Sequence, residues 1–366
     1  MKHLKLLHVS DTHFGLDTFG AEDPSTGINS RSFDGLRAFK VSISYAIEND
    51  IEFVLHSGDC FNTKNPSQNI VNAVYAEIKR ALDAGIKFFM LTGNHDNSKI
   101  LTRKTSLDLA NTLDIKNLTI TRGNSFHDFG NLQIVTIGYW NEIHEIKDIV
   151  DNLAKKVDWS RPAVLLGHLQ IQYADFPGSF KQDLPFVPLE YLTSHPWLIS
   201  QNGHIHKPQI LAEKPFTFYV GSLVRCSAAE ANDKKGFWVS EIEDNKLKSI
   251  EQIEVDCLQY QAIKGTPKEI HTTLEKINSQ DLSKLIIKLQ VDESDEPLDM
   301  ALIREKLASA FKYIIQKESK KKNTPKIKAM QNLSLDNYLE HYFEKDEDKD
   351  DLFKIFQELQ TASEVK

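Results

Sequence analysis

Apolar residues come in two rhythms along this chain. Short, nearly continuous runs recur through the first 255 residues or so: "LKLLHVS" (4–10), "IEFVLHS" (51–57), "IKFFMLT" (86–92), "LQIVTIG" (132–138), "AVLLGH" (163–168) and "WLISQNGH" (197–204). They are too short for helices and read as strands buried on both faces. Between them, 29–49 and 66–84 carry apolar positions at helical spacing, the second opened by Pro66 and closed by Gly85. Alternating strand and helix predicts a layered α/β domain. "FTFYVGS", "GFWVSEIE" and "LKSIEQIEV", from about 216 to 255, read as its closing strands.

After Cys257 the texture changes. "TPKEIHTTLEKI" predicts a helix, "KLIIKLQV" a strand, "PLDMALIREKLASAF" a helix and "KYIIQKE" a strand. This αβαβ pattern is a small α+β module of the size usual for a minor domain. "KKKNTPKIK" (320–328) is basic and interrupted by proline, as a hydrated linker is. Beyond it, Leu335, Leu339, Tyr342 and Phe343 make one helical stripe, and Leu352, Phe353, Phe356 and Leu359 a second. The pattern therefore divides the chain into 1–256, 257–318, a linker at 319–332 and a helical tail at 333–366.

Composition narrows the class. At 366 residues and 40% hydrophobic, the chain has enough apolar side chains for a sizeable core. A net charge of −8 argues against a simple basic sleeve for nucleic acid, although whole-chain charge is silent about a local site or a bound cation. Cys60, Cys226 and Cys257 are odd in number and far apart, which predicts neither a disulfide framework nor a thiolate zinc site and fits a reducing cytoplasm. No stretch approaches the roughly 18 apolar residues of a membrane span, and no signal peptide is expected.

The chemistry sits after the strands: "DTHFG", "GDCF", "GNHD", "GH" at 167–168 and "GHIH" at 203–206. Taken singly these are weak signals, since polar residues after strands usually make turns and a lone histidine is usually structural. Together they place five sets of oxygen and imidazole donors where α/β sheets bind ligands, at the carboxyl ends of strands. The two imidazoles of "GHIH", at i and i+2, point the same way on extended backbone. Carboxylate, amide oxygen and imidazole without thiolate suit Mn²⁺, Fe²⁺ or Zn²⁺ in open sites. Two such cations, about 3.5–4 Å apart and sharing a carboxylate, can grip a phosphate and activate a water. The predicted reaction is phosphoester hydrolysis.

The ordered set D-x-H, G-D, G-N-H-[DE], G-H and G-H-x-H, spanning 11–206, resembles the calcineurin-like metallophosphoesterase superfamily. That resemblance implies an α/β two-sheet sandwich flanked by helices. It also implies that Asp11, His13, Asp59 and His206 hold one cation and that Asp59, Asn94, His168 and His204 hold the other, with Asp59 bridging. His95 matches the family's non-ligand histidine, expected to protonate the leaving oxygen, with Asp96 as the acceptor that orients it. Within the superfamily, "GDCFNTKNPS" and "YVGSLVRCSAAEANDKKGFWVSEIE" (219–243) resemble the nuclease subunits of double-strand-break repair complexes, the SbcD group and its phage counterparts. This closer likeness implies a Mn²⁺-dependent DNA nuclease, with Mg²⁺, Fe²⁺ or Zn²⁺ as alternative cations. It further implies a DNA-capping role for 257–318, docking of the tail on an SbcC-type coiled-coil ATPase, a homodimer, and a bacterial or phage-infected cytoplasm.

One departure concerns Asn62. Many cellular members of that group have a histidine three residues after the bridging aspartate, and an amide can donate to phosphate but cannot carry a proton. Competing readings are a phosphatase or cyclic-nucleotide phosphodiesterase on the same fold, or a scaffold subunit with little catalysis. His3, His8 and His56 read as packed histidines, with His56 alternatively a hydrogen-bond partner of a metal ligand. Arg31, Arg37, Lys40, Lys99, Arg103 and Lys104 read either as phosphate contacts or as solvated surface charge.

Overall fold

The computed structural model describes residues 3–97, 100, 103–139, 141–176, 186–277 and 281–317. The expected linker and tail (319–366), and Lys99, lie outside the described residues. In chain order the elements of the first half are β1 (His3–Val9), β2 (Glu22–Asp23), β3 (Ile28–Asn29), α1 (Ser30–Glu48), β4 (Phe53–Ser57), α2 (Gln68–Asp83), β5 (Lys87–Leu91), α3 (Asp108–Thr112), β6 (Leu118–Thr121), β7 (Ser125–Asp128), β8 (Gln133–Ile137) and α4 (Ile143–Ala154). There follow β9 (Ala163–His168), α5 (Leu189–Thr193), β10 (Ile199–Gly203), β11 (Gln209–Glu213), β12 (Phe216–Tyr219), β13 (Gly236–Glu243) and β14 (Lys246–Glu254). The last part holds β15 (Gln259–Gly265), α6 (Pro267–Glu275), β16 (Leu285–Val291), α7 (Met300–Lys306) and β17 (Lys312–Lys317).

Two six-stranded sheets form the body, in the orders β14-β13-β1-β4-β5-β6 and β11-β12-β10-β9-β8-β7. The pairs β1–β4, β4–β5, β8–β9, β9–β10 and β10–β12 are parallel. Period-two alternation sorts their side chains into layers. Leu4, Leu6, Phe53, Leu55, Phe89 and Leu91 meet Ile134, Val164, Leu166, Ile199 and Phe218 of the other sheet in the central core. The alternate residues Leu7, Val9, Val54, Phe88 and Met90 pack under Phe39, Ile43, Val74 and Ile78 of α1 and α2. Val135, Ile137 and Leu165 pack under Ile146, Val150 and Leu192 of α4 and α5. Both sheets are thus covered on both faces, which is why their central strands read as continuous apolar runs.

The small module is a three-stranded parallel sheet, β15-β16-β17, packed on α6 and α7 through Ile263, Ile270, Leu274, Ile287, Leu289 and Ile303. Its order is βαβαβ, where the sequence predicts αβαβ. Strand β15 was missed because it lies at the sheet edge, and only Ile263 and Gly265 of its seven residues are buried. The half-exposed strands β6, β7 and β11 escaped detection for the same reason. At the junction of body and module the buried Asp34 accepts from the Leu258 amide and from the guanidinium groups of Arg31 and Arg37. Arg31 is 1% exposed, so it is neither a phosphate contact nor a solvated charge. Among the described residues no helix is long and apolar enough to cross a membrane.

Candidate metal centre

The parallel strands β1, β4, β5, β9 and β10 all release their loops at the same sheet ends, so motifs far apart in sequence meet. The loop after β1 runs alongside the loop after β4, with Asp11 N donating to Gly58 O (2.9 Å), His13 N to Asp59 O (3.1 Å) and Phe14 N to Cys60 O (2.8 Å). His56, fully buried, locks the same pair of loops: its Nδ1 accepts from Gly58 N, and its Nε2 bonds Thr12 Oγ1 at 3.1 Å. Asp11, His13, Asp59 and His204 all have positive φ (47°, 42°, 53° and 89°). Left-handed backbone in non-glycine residues is strained, and it clusters at functional sites.

Asp11, His13 and His206 bring one ligand atom each to within 4.8 Å of one another, and so do Asp11, Asp59 and His168. His13 Nε2 and His206 Nε2 stand 3.0 Å apart. Asp59 Oδ2 lies 3.3 Å from His168 Nε2 and 3.8 Å from His13 Nε2, between the two halves. Asn94 Oδ1 lies 3.2 Å from His168 Nε2. His204 reaches Asp11 through its backbone amide (3.0 and 3.2 Å), and its ring centroid is 5.4 Å from that of His168. His95 is exposed at the rim, its ring 4.8 Å from that of His13. A polar cleft of about 580 Å³ opens there, lined by Asn62, Thr63, Lys64, Asn65, Asn94, His95 and Tyr139.

Glycine is required where the loops touch. A Cβ on Gly93 would overlap the Asp59 carboxylate and stand 2.6 Å from the Asp59 amide nitrogen. One on Gly58, which has φ +105°, would overlap His168 Nδ1.

Buried carboxylates and imidazoles shift one another's protonation in this site. Burial works to raise the Asp59 carboxyl, but the His168 and His13 imidazoles outweigh it and hold the group well below the usual carboxylate range. Burial works to lower His168, and Asp59 overrides it, raising the imidazole to about 9. His13 is pushed down to about 3 by burial and by His206. The donor set fits divalent cations. His168 Nδ1–H donates to Ser57 O at 2.8 Å, which turns Nε2 toward the oxygens of Asp59 and Asn94. The buried His13 Nδ1 has no hydrogen-bond partner among the described residues. An imidazole fixed at one nitrogen by a carbonyl or carboxylate is the usual arrangement of a metal-ligating histidine.

The expectation for Asp96 fails. Asp96 does not hold His95: its oxygens accept from Cys60 N (3.0 Å), Phe61 N (2.8 Å) and Gly93 N (2.9 Å), so it ties the loops after β4 and β5 together. Burial and the nearby Asp59 raise this carboxyl to about 6. The His95 ring is instead held by the backbone carbonyl of Asn62, which accepts from Nδ1–H at 2.9 Å. The sequence could not show this, because a main-chain acceptor carries no residue signature. It also missed Glu230, which lies 3.0 Å from His206 Nδ1 and is 2% exposed.

Strained loops that bring carboxylate, amide and imidazole donors together at the carboxyl edge of a double sheet are the arrangement of a metal-binding site. The pattern of the calcineurin-like phosphoesterases matches residues 4–208, more than half of the chain, which therefore belongs to that family. The fold implies a dinuclear divalent metal site, and the described residues supply candidate ligands. Among relatives, the "DNA double-strand break repair protein Mre11" of Sulfolobus acidocaldarius is 26% identical over 206 residues, covering 56% of this chain and 50% of that protein. The Methanococcus maripaludis protein of the same description is 25% identical over 325 residues, covering 84% of this chain and 80% of its own. The chain thus spans about half the length of the first relative and four-fifths of the second. A solved dimetal phosphatase from Danio rerio aligns over 69% of this chain and 97% of its own, at 10% identity and a TM-score of 0.43.

Proposed function

We propose that this protein is a Mn²⁺-dependent DNA nuclease that hydrolyses phosphodiester bonds in double-strand-break processing. The observation that carries the reading is the position of Asp59 Oδ2, within 4 Å of an imidazole from each half of a buried donor cluster. Asp11, His13, Asp59 and His206 would hold one cation, and Asp59, Asn94, His168 and His204 the other. Bound there, two divalent cations would polarise the phosphoryl oxygens and make a water acidic enough to attack.

The chain's own residues do the rest. Ser57 O orients His168 by accepting from its Nδ1–H. The Asn62 carbonyl fixes the His95 ring by its Nδ1–H, leaving Nε2 to carry the proton given to the departing sugar oxygen. Asn62, Lys64 and Asn65 offer donors to the flanking phosphates from the cleft wall. In this reading residues 257–318 cap the DNA, the tail at 333–366 docks on an SbcC-type coiled-coil ATPase, and two copies work together in the cytoplasm. The relatives described as break-repair proteins support the choice of DNA as substrate.

The test is Mn²⁺-supplemented hydrolysis of linear duplex and single-stranded DNA by wild type, His95→Gln and His206→Ala, with the ATPase partner present. DNA cleavage lost in both variants is expected. Cleavage of small phosphoesters with none of DNA would move the assignment to a phosphatase.

A further inference from the structure

We infer that Glu230 is a positioning residue for the metal centre, fixing His206 in the tautomer that presents Nε2 as a donor; the inference rests on the dinuclear reading above. His206 Nδ1 lies 3.0 Å from Glu230 Oε1, and a carboxylate can only accept, so the proton sits on Nδ1. His206 Nε2 is the atom that faces His13 Nε2 at 3.0 Å.

Glu230 is itself held at every lone pair. Ser227 Oγ donates to Oε1 (3.1 Å), while Ser222 Oγ (3.1 Å), Cys226 N (3.2 Å) and the buried Lys235 ammonium (2.7 Å) all reach Oε2. Lys235 Nζ also donates to His206 O at 2.8 Å, so one ion pair grips the histidine by its ring and by its backbone. The loop is braced from behind, where Arg225 donates to Ala231 O (3.2 Å) and Asp233 O (2.8 Å). Burial works to raise the Glu230 carboxyl, but His206 and Lys235 prevail and keep it ionised.

Glutamine at 230 cannot reproduce this. With its oxygen toward His206, its NH₂ meets the Cys226 amide and the Lys235 ammonium, both donors. Flipped, its NH₂ requires Nδ1 to accept, which moves the imidazole proton to Nε2 and blocks the ligand atom. Outer partners of metal-ligating histidines typically contribute roughly 10–100-fold in metal affinity.

The experiment is a Mn²⁺ titration of metal-free protein, followed by the electron paramagnetic resonance of free Mn²⁺. Wild type is expected to bind two ions. Glu230→Gln should weaken one site roughly 10–100-fold and leave the other, His206→Ala should weaken the same site, and the double variant should be no worse than His206→Ala alone. Two sites of unchanged affinity in Glu230→Gln, equal weakening of both, or a third ion lost with Glu230 would overturn the proposal. Asp59→Asn serves to separate the two claims: if it leaves both sites intact, the dinuclear reading itself fails. Long-range ¹H–¹⁵N spectra of the Zn²⁺-loaded wild type supply a second readout that does not depend on a variant folding. They should show the His206 proton on Nδ1, and a proton on Nε2 refutes the assignment.

Discussion

Replacing Gly93 by alanine tests the close packing of the candidate centre with a single methyl group. The Gly93 backbone is not in the left-handed region, so alanine meets no conformational penalty of its own. The added Cβ overlaps the Asp59 carboxylate and stands 2.6 Å from Asp59 N and 2.7 Å from His168 Cε1. Ordinary contact begins at 3.4 Å, so each neighbour must withdraw by about 0.7–0.8 Å, and the carboxylate by more. Neither neighbour is free to move. His95 N donates to Asp59 Oδ1 at 2.9 Å, and His168 is pinned by Ser57 O at 2.8 Å. Overpacking of this kind costs about 1–3 kcal/mol of stability. A displacement near 1 Å in a catalytic arrangement lowers the rate about 10²-fold. Urea unfolding, Mn²⁺ titration and hydrolysis of a chromogenic phosphodiester measure the three effects, with Gly123→Ala as control, since a Cβ there meets nothing within 4 Å among the described residues. A Gly93→Ala protein that matches the control in stability, metal affinity and rate would show that these loops do not pack as described.

Three further outcomes are expected. His8 bridges Gln201 and Ser240 in the central core, and burial pushes its pKa from 6.5 down to about 4. The unfolded chain therefore takes up a proton that the native state refuses, so this stability is full above pH 6.5 and is lost as pH falls toward 4. Between pH 7.5 and 5 the loss is about 2 kcal/mol, and urea midpoints of metal-free wild type should show it while those of His8→Asn show that much less. Asp34→Ala strips the carboxylate from the fully buried Arg31 and should lower the unfolding free energy by about 3–5 kcal/mol; a loss below 1 kcal/mol contradicts the ion-pair assignment. Asn62→His places a group that titrates near pH 6.5 in the cleft beside His95. The rate on linear duplex DNA should gain a new pH limb and the product pattern should shift, so identical profiles and products dismiss a role for position 62.

How much was legible follows from what each signal depends on. Asp11, His13, Asp59, Asn94, His168 and His206 converge as the five motifs imply, because parallel strands deliver their loops to one edge whatever lies between them. The central strands were legible because burial on both faces demands unbroken apolar runs. Edge strands β6, β7, β11 and β15 have no such demand and left no trace. Asp96 was misread because adjacency in sequence suggested contact, whereas the turn after β5 sends its carboxylate away from His95 and into the backbone amides of residues 60, 61 and 93.

The sequence by itself determined the kind of chemistry and the layered α/β body, since both rest on residue type and local period. Only the tertiary structure decided who supports whom. The Asn62 carbonyl on His95, Ser57 on His168 and Glu230 with Lys235 on His206 are contacts across 24 to 111 residues of chain. They are made by main-chain atoms or by ordinary buried side chains, whose meaning comes from position in space and not from identity.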